Sequence, residues 1–326
     1  MTVFDSSIGI VAETVYGTYL APSRTIEFNS EGLIGKYDRT WSPGLRAGRT
    51  TYAENQFQPI PMGAEGPLVL NPQSKGFGLL LSHMLGSSAI GTLISGHYLQ
   101  THTVGSLVGK SLTVQVNRPF VNTGGGVFSY PGTKIKSWSL GCQTIGGLVD
   151  CSLALDARQE DTSQALAAVA YPSAPEPFVG VGATVTVDGS TFNCAGFTVT
   201  GDNALNTVRF KIGSTGGRKD EPIETSFKKF GGTVTGADFL SLAQYNKIAS
   251  ATAAGALASI TITCLGLTDT AASLTITMPK CVILGDIPTV TNTALLLLQN
   301  LSFQPVQSSG GTSPITIAYN AVDTAI

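Results

Sequence analysis

Charge is scarce in this chain. Of 326 residues only 12% are Asp, Glu, Lys or Arg, with 21 acids against 19 bases. No basic excess exists to drive tight electrostatic binding to nucleic acid, so any contact with DNA is expected to be weak. Long apolar runs are missing too. Residues 295–298 are far too few to span a bilayer, so no membrane anchor is expected. Residues 1–10 have neither a basic start nor an apolar core, and the expectation is synthesis in a cytoplasm without a signal peptide. The five cysteines lack metal-ligand spacing, and a reduced, structural role is their default.

Catalytic patterns are also lacking. No His-Glu-x-x-His, Cys-x-x-Cys or Gly-x-Ser-x-Gly occurs, and three histidines are few for a triad. Residues 180–185 begin like a dinucleotide fingerprint but lack its third glycine and a following helix. Residues 213–219 superficially resemble a phosphate loop, yet Arg218 stands where glycine is needed. His83 reads as a helix-edge residue. The adjacent acids Glu160–Asp161 and Asp220–Glu221 read as solvated loop residues, a glycosidase pair drawn from separated positions being left open. No catalytic residue, metal ligand or cofactor site is assigned. The chain reads as structural and not as an enzyme.

What is present is 42% hydrophobic residues and 38 glycines, the composition of a β-rich protein with many tight turns. Residues 66–86 read as a short strand running into a helix. Asn71 is placed to cap it, Pro72 fits its first position, and Phe77, Leu80, Leu81, Met84 and Leu85 form one apolar stripe that ends at Gly86. The same arrangement returns at residues 231–248, where Phe239, Leu242 and Tyr245 recur at three-residue steps.

In chain order, residues 1–23 read as an irregular arm that packs on a neighbour or frays. Residues 25–32 alternate as a strand. Residues 39–63 hold Trp41, Arg46 and Arg49 without sustained periodicity and read as a long loop or hairpin reaching another subunit, the alternative being a solvated surface loop. Residues 87–109 are loop-like, and 111–117 form a clean strand. Residues 134–157 are the best-patterned hairpin. Trp138, Leu140, Cys142, Cys151 and Leu153 make its core face, while Ser137, Ser139, Gln143, Asp150, Ser152 and Asp156 make the polar one. With Gly146-Gly147 as a two-residue turn, Cys142 sits across from Cys151 as a close thiol pair, reduced by default.

Three prolines in residues 172–177 mark the best internal boundary, dividing the chain into 1–172 and 178–326. Beyond it the pattern restarts. Asp188-Gly189 is a hairpin turn, residues 197–200 are a strand, Val208, Phe210 and Ile212 mark another, and alternating runs follow at 260–264, 274–278 and 314–319. Residues 27–49 parallel 198–219, 112–116 parallel 260–264, and the Trp138 hairpin parallels 274–303. The fold expected is mainly β: antiparallel sheets forming sandwiches or barrels, in two tandem units, each with a short packed α-helix.

Several short motifs resemble phage tail tube (major tail) proteins of long non-contractile tails. They are residues 13–22 (ETVYGTYLAP), the strand 25–30, GLRAGR at 44–49, NRP at 117–119, FSY at 128–130 with Gly132 and Lys134, and SWSL at 137–140. In the second half, Asp202-Asn203, EPIE at 221–224, residues 301–304 and SPIT at 313–316 with Asp323 are similar. The resemblance implies a virion structural protein: β subunits closing into stacked rings around a DNA channel, with exposed sheet edges paired between neighbours and loops bridging rings. It implies self-association, contact with tape measure and tail terminator proteins, and DNA in passage without specific binding. On it, Trp41, Arg46 and Arg49 become inter-ring anchors, and Ser137, Ser139, Gln143, Asp150, Ser152 and Asp156 become lumen-facing. Two tube units per chain imply a trimer with pseudo-sixfold symmetry; a homohexamer is the alternative. A reading of another class is a carbohydrate-binding or glycan-cleaving β-sandwich. It needs surface aromatics in a groove, and the chain has 8% aromatics and only two tryptophans, Trp41 and the core-patterned Trp138.

Overall fold

The computed structural model describes residues 3–94, 96–121, 124–211, 219–239, 241–252, 255–284, 298–323 and 326. It is mainly β, as the alternation requires. In the first segment the elements are β1 (Ser7–Ala12), β2 (Arg24–Ile26), β3 (Ser30–Glu31), β4 (Ile34–Trp41), β5 (Phe57–Leu70), α1 (Gly78–Leu85), β6 (Gly86–Ile94), β7 (His97–Val104), β8 (Leu112–Pro119), β9 (Gly125–Cys142) and β10 (Asp150–Ala157). In the second they are β11 (Phe178–Val187), β12 (Ser190–Thr191), β13 (Gly196–Asp202), β14 (Lys229–Asp238), α2 (Ala243–Ile248), β15 (Leu257–Gly266), β16 (Ser273–Leu284), β17 (Leu298–Pro305) and β18 (Thr316–Ala321).

Every ladder is antiparallel. One continuous sheet runs β4·β5·β10·β9·β13·β14·β17·β16. β16 also carries β15, and through it β11. Its other edge carries β18, then β7 and β6. A second sheet runs β2·β1·β8·β9. The 18-residue β9 therefore belongs to both sheets, and it changes partner around Gly132, whose φ of 72° turns the chain there. The two segments meet through β9·β13 and β7·β18, over one hydrophobic core.

The order of neighbours occurs twice. The first segment pairs β4·β5, β5·β10, β10·β9, β9·β8 and β8·β1. The second pairs β13·β14, β14·β17, β17·β16, β16·β15 and β15·β11. A helix follows the second strand in each: α1 after β5, α2 after β14.

Local expectations fared unevenly. Gly86 ends α1 in the left-handed region (φ 103°), its N–H donating to the Ser82 carbonyl. Asn71 does not cap: its amide donates to the Val149 carbonyl (2.9 Å) and to Asp150 Oδ1 (2.7 Å), and the helix starts later, after Phe77. Residues 72–74 are drawn instead into bonds with 176–178. The N-terminal arm is ordered, since β1 buries Ile8 and Ile10 between β2 and β8. Residues 87–109 are not a loop but mostly the β6–β7 hairpin, made worthwhile by a partner far away in sequence, β18. Residues 208–211 form no strand, while Ile212, residues 213–218 and 295–297 lie outside the described residues. At Asp188-Gly189 both residues have positive φ (50° and 76°), the conformation a two-residue hairpin turn demands.

Candidate assembly and channel surfaces

The polar face of the long sheet is assembled from both segments. On β9, Ser139 stands opposite Ser152 of β10 and Thr200 of β13. The next rows add Thr198, Thr233 and Ser302, cross-strand partners in turn. These side chains share a face because strand residues alternate, and their neighbours on the other face, Trp138, Leu140, Leu153 and Val199, are buried. Ser137, Ser139, Thr200, Asp202 and Lys229 line a shallow groove of about 570 Å³ on this face. Asp202 lies across from Lys229, and Asp150 is exposed beside Asn71. Gln143 is exposed and donates to Thr198 Oγ1 (2.8 Å). The sequence singled out the β9–β10 contribution but not Thr198, Thr200 and Asp202. Their alternation with Phe197, Val199 and Gly201 was the available signal.

Asp156 does not behave as its strand position suggests. It has the outward parity, but it is buried together with Lys219, and the two form an ion pair. Lys219 also lies against Gly63, where an added Cβ would be 3.4 Å from its Cδ. Burial pushes the Asp156 carboxyl up while Lys219 opposes the shift. Two residues on, Glu221 pairs with the buried Lys134, which also donates to the Leu107 (2.7 Å) and Pro222 (3.0 Å) carbonyls. Residues 219–222 thus fold over this end of the sheet and remove Asp156 from the open face. Strand parity cannot reveal a cover supplied by a distant segment.

The two thiols are not opposite one another. Cys151 faces Leu140, and Asp150 faces Gly141, so the register differs by two residues from a Gly146-Gly147 turn. The connection is wider because the turn is Thr144–Gly147 (N–H to carbonyl 2.9 Å). Gly147 and Val149 are then engaged by Gly180 and Phe178. The Cys142 thiol donates to the Thr144 carbonyl (3.1 Å), and all five cysteines are free. Burial pushes Cys264 and Cys281 up to about 12, and Cys151 further, leaving these thiols inert at neutral pH. A second irregularity, between Ala154 and Leu155, passes over Lys136 as an extra residue that bends β9.

Residues 39–63 form the far half of the β4–β5 hairpin and its tip. Trp41 packs on Tyr52 and Phe57, ring centroids 5.2 and 5.3 Å away. Arg49 donates to Gln56 Oε1 (3.3 Å), and its N–H closes a turn on the Arg46 carbonyl (3.1 Å). The tip is self-packed yet open to solvent. Trp41 is 46% exposed and Leu45 fully so, which is a poor arrangement for an isolated chain.

Among the described residues, no group of three or more His, Cys, Asp or Glu is placed to hold a metal. No described helix is long and apolar enough to cross a membrane, which leaves strands aside. Trp138 is buried beneath Gly201 and beside Phe230, so it offers no stacking surface to a sugar. A family model described as phage tail tube protein matches residues 4–319. No curated protein matches the chain.

Proposed function

The chain belongs to the phage tail tube protein family, and from that premise we propose that it closes into rings that stack as the tube of a long, non-contractile tail. It is a structural component of the virion tail. The observation that carries the channel reading is the sheet β10·β9·β13·β14·β17, one face of which is rich in Ser and Thr drawn from both segments. That face is the wall along which DNA passes. Its hydroxyls hydrate well, and its exposed charges mix signs: Asp150 and Asp202 against Lys136 and Lys229. A wall without net positive charge gives phosphate no place to condense, so DNA slides.

The repeated order of neighbours supports two tube units per chain and hence three chains in a pseudo-sixfold ring. The β4–β5 tip, with Trp41, Arg46 and Arg49, is the bridge to the adjacent ring, where the exposed aromatic cluster becomes buried. The tape measure and tail terminator proteins meet this tube inside and at its end. Negative-stain electron microscopy of the purified protein across concentrations tests the reading. Tubes or stacked rings are expected; a monomer at every concentration and ionic strength contradicts it. Removing residues 42–56 is expected to leave rings that do not elongate.

A further inference from the structure

A buried charge pair is costly unless each donor and acceptor on it finds a partner. The two pairs made by residues 219–222 differ in this respect. Lys134 donates to the Leu107 carbonyl (2.7 Å), the Pro222 carbonyl (3.0 Å) and Glu221, so its three donors are used. Glu221 also accepts from the Gly109 N–H (2.6 Å) and reaches solvent. Lys219 and Asp156 are not satisfied in this way. Both side chains are only 3% exposed. Among the described residues, Lys219 Nζ donates to Asp156 Oδ1 alone, and Asp156 Oδ2 is buried without a hydrogen-bond partner.

The packing holds the two groups together. The Lys219 stem lies against Gly63, where an added Cβ would be 3.4 Å from Lys219 Cδ and 2.8 Å from the Ala157 carbonyl oxygen. Nζ is thereby kept against the Asp156 carboxyl, the situation in which an intramolecular reaction gains most from proximity. Directly across the β5·β10 ladder from Asp156 stands a second carboxyl, Glu65, which pairs with Lys36. Burial pushes the Asp156 carboxyl up, Lys219 opposes the shift, and the charge of Glu65 adds to the rise.

We propose that Lys219 and Asp156 join in an intramolecular isopeptide bond, formed with loss of water, with Glu65 relaying a proton across the strand pair. A proton first passes from the Lys219 ammonium to the Asp156 carboxylate, which leaves a neutral amine beside a neutral acid, the form a desolvated site favours. Lys219 Nζ then attacks Asp156 Cγ, and the N–C bond forms. The carboxyl oxygen that holds the transferred proton takes a second one from the nitrogen through Glu65, its bond to Cγ breaks, and it leaves as water. One ammonium and one carboxylate become one secondary amide and one water. Nothing is oxidised or reduced, and no co-reactant is required. The product removes both buried charges and ties residue 219 of the second segment to β10 of the first, 63 residues away in the chain. This covalent staple goes beyond the tube reading and does not depend on it.

Intact-mass spectrometry of the denatured full-length protein tests the bond without any variant. The expected mass is that of the chain less one water. After trypsin, residues 137–158 are expected joined to residues 219–228 in one branched peptide, because trypsin does not cut after an amidated Lys219. Lys219→Arg keeps the charge and cannot form the bond. It is expected to show the full mass of its own sequence, to run behind the unaltered chain on a reducing denaturing gel, and to melt several degrees lower, since the staple no longer restrains the unfolded chain. Glu65→Gln, at a half-exposed site, is expected to leave a mixture of linked and unlinked chains in freshly made protein. Unaltered protein that keeps its full sequence mass after prolonged incubation overturns the bond. So does a loss of water in which peptides 137–158 and 219–228 stay separate. Complete linkage in fresh Glu65→Gln overturns the relay.

Discussion

The helices α1 and α2 occupy the same place in the order of neighbours, yet one is interior and the other surface. Every residue of α1 is buried; none of α2 is. The reason lies in what the chain adds around them. After α1 it inserts the β6–β7 hairpin, which β18 extends, and Asn203 from the second segment donates to the Met84 (3.1 Å) and Ile135 (2.9 Å) carbonyls. After α2 the chain returns directly to β15. Lys247 bonds that helix to the Leu257 carbonyl (2.6 Å) and Asp188 (2.7 Å), and half-buried Ile248 packs it on the core. A shared topology therefore does not imply a shared distribution of stability. The helix of the first segment is part of the shared core, whereas that of the second lies on its surface.

Truncation should expose that difference most strongly. Leu81→Ala in α1 is expected to cost about 2–5 kcal/mol, the range for emptying a fully buried leucine site. Ile248→Ala in α2, half-buried, is expected to cost less than about 1 kcal/mol because solvent and neighbours fill its place. Urea denaturation of the unassembled protein measures both, and equal losses would break the contrast.

Acid should act on the same side. All three histidines lie in the first segment. Burial lowers His83 to about 4, against the bond its Nδ1–H makes to the Leu79 carbonyl (2.9 Å). Burial also lowers His102 to about 4, with nearby Lys110 adding to the shift. A folded-state pKa below the unfolded one gives stability that is complete above about pH 6.5 and is lost as pH falls through about 4. Each histidine is worth on the order of 3 kcal/mol across that window. The double variant His83→Gln, His102→Gln is expected to flatten melting temperature against pH between those limits. Hydrogen exchange at low pH is expected to open α1 and β7 before β15.

The joint between the segments is tight, and tightest at Gly201. A Cβ on Gly201 would sit 2.3 Å from Trp138 Cε2, so Gly201→Ala forces the indole or β13 to move. The expected loss is about 1–3 kcal/mol, the usual cost of overpacking. At Gly231, on the next strand, the nearest atom to an added Cβ is Thr200 Oγ1 at 3.6 Å. Gly231→Ala is expected to be close to neutral, and comparing the two in thermal melts separates the joint from the open face.

How much of this was legible beforehand follows from what each signal can reach. Period-two alternation in β9, β10, β13, β15 and β16 fixed which side chains face the core, and Gly86 announced its left-handed cap because that conformation is local. The phase of β9 against β10 was not legible. It is set by Gly147 and Val149 pairing with Gly180 and Phe178, which lie beyond the hairpin. Nor was the fate of Asp156, whose cover arrives from residue 219, or the β6–β7 hairpin, whose partner is β18. The recurring strand-helix pattern pointed toward the repeated order of neighbours. The sheet joining the two segments did not show, because strand pairing over long separations leaves no periodic trace in either strand.

The smallest effect on the fold falls on the proposed channel face, where each segment contributes an exposed acid, Asp150 from the first and Asp202 from the second. Both are exposed, and their substitution by Lys should change stability by no more than about 0.5 kcal/mol. Their effect on DNA is a matter of field and not of packing. In the proposed ring each charge recurs in every chain, so Asp202→Lys removes one acid and adds one base per chain on a face that already carries Lys229 across from that site. Short duplex DNA mixed with assembled tubes at low salt is expected to bind the double variant Asp150→Lys, Asp202→Lys and not the unaltered protein, with binding falling steeply as salt is added. Measurable binding by unaltered tubes would mean that the mixed charge on this face does not keep DNA free to move. If Asp202→Lys alone gives binding while Asp150→Lys does not, the second segment sets the wall's potential. In that case the first segment's Asp150, held by Asn71, serves its strand connection more than the channel.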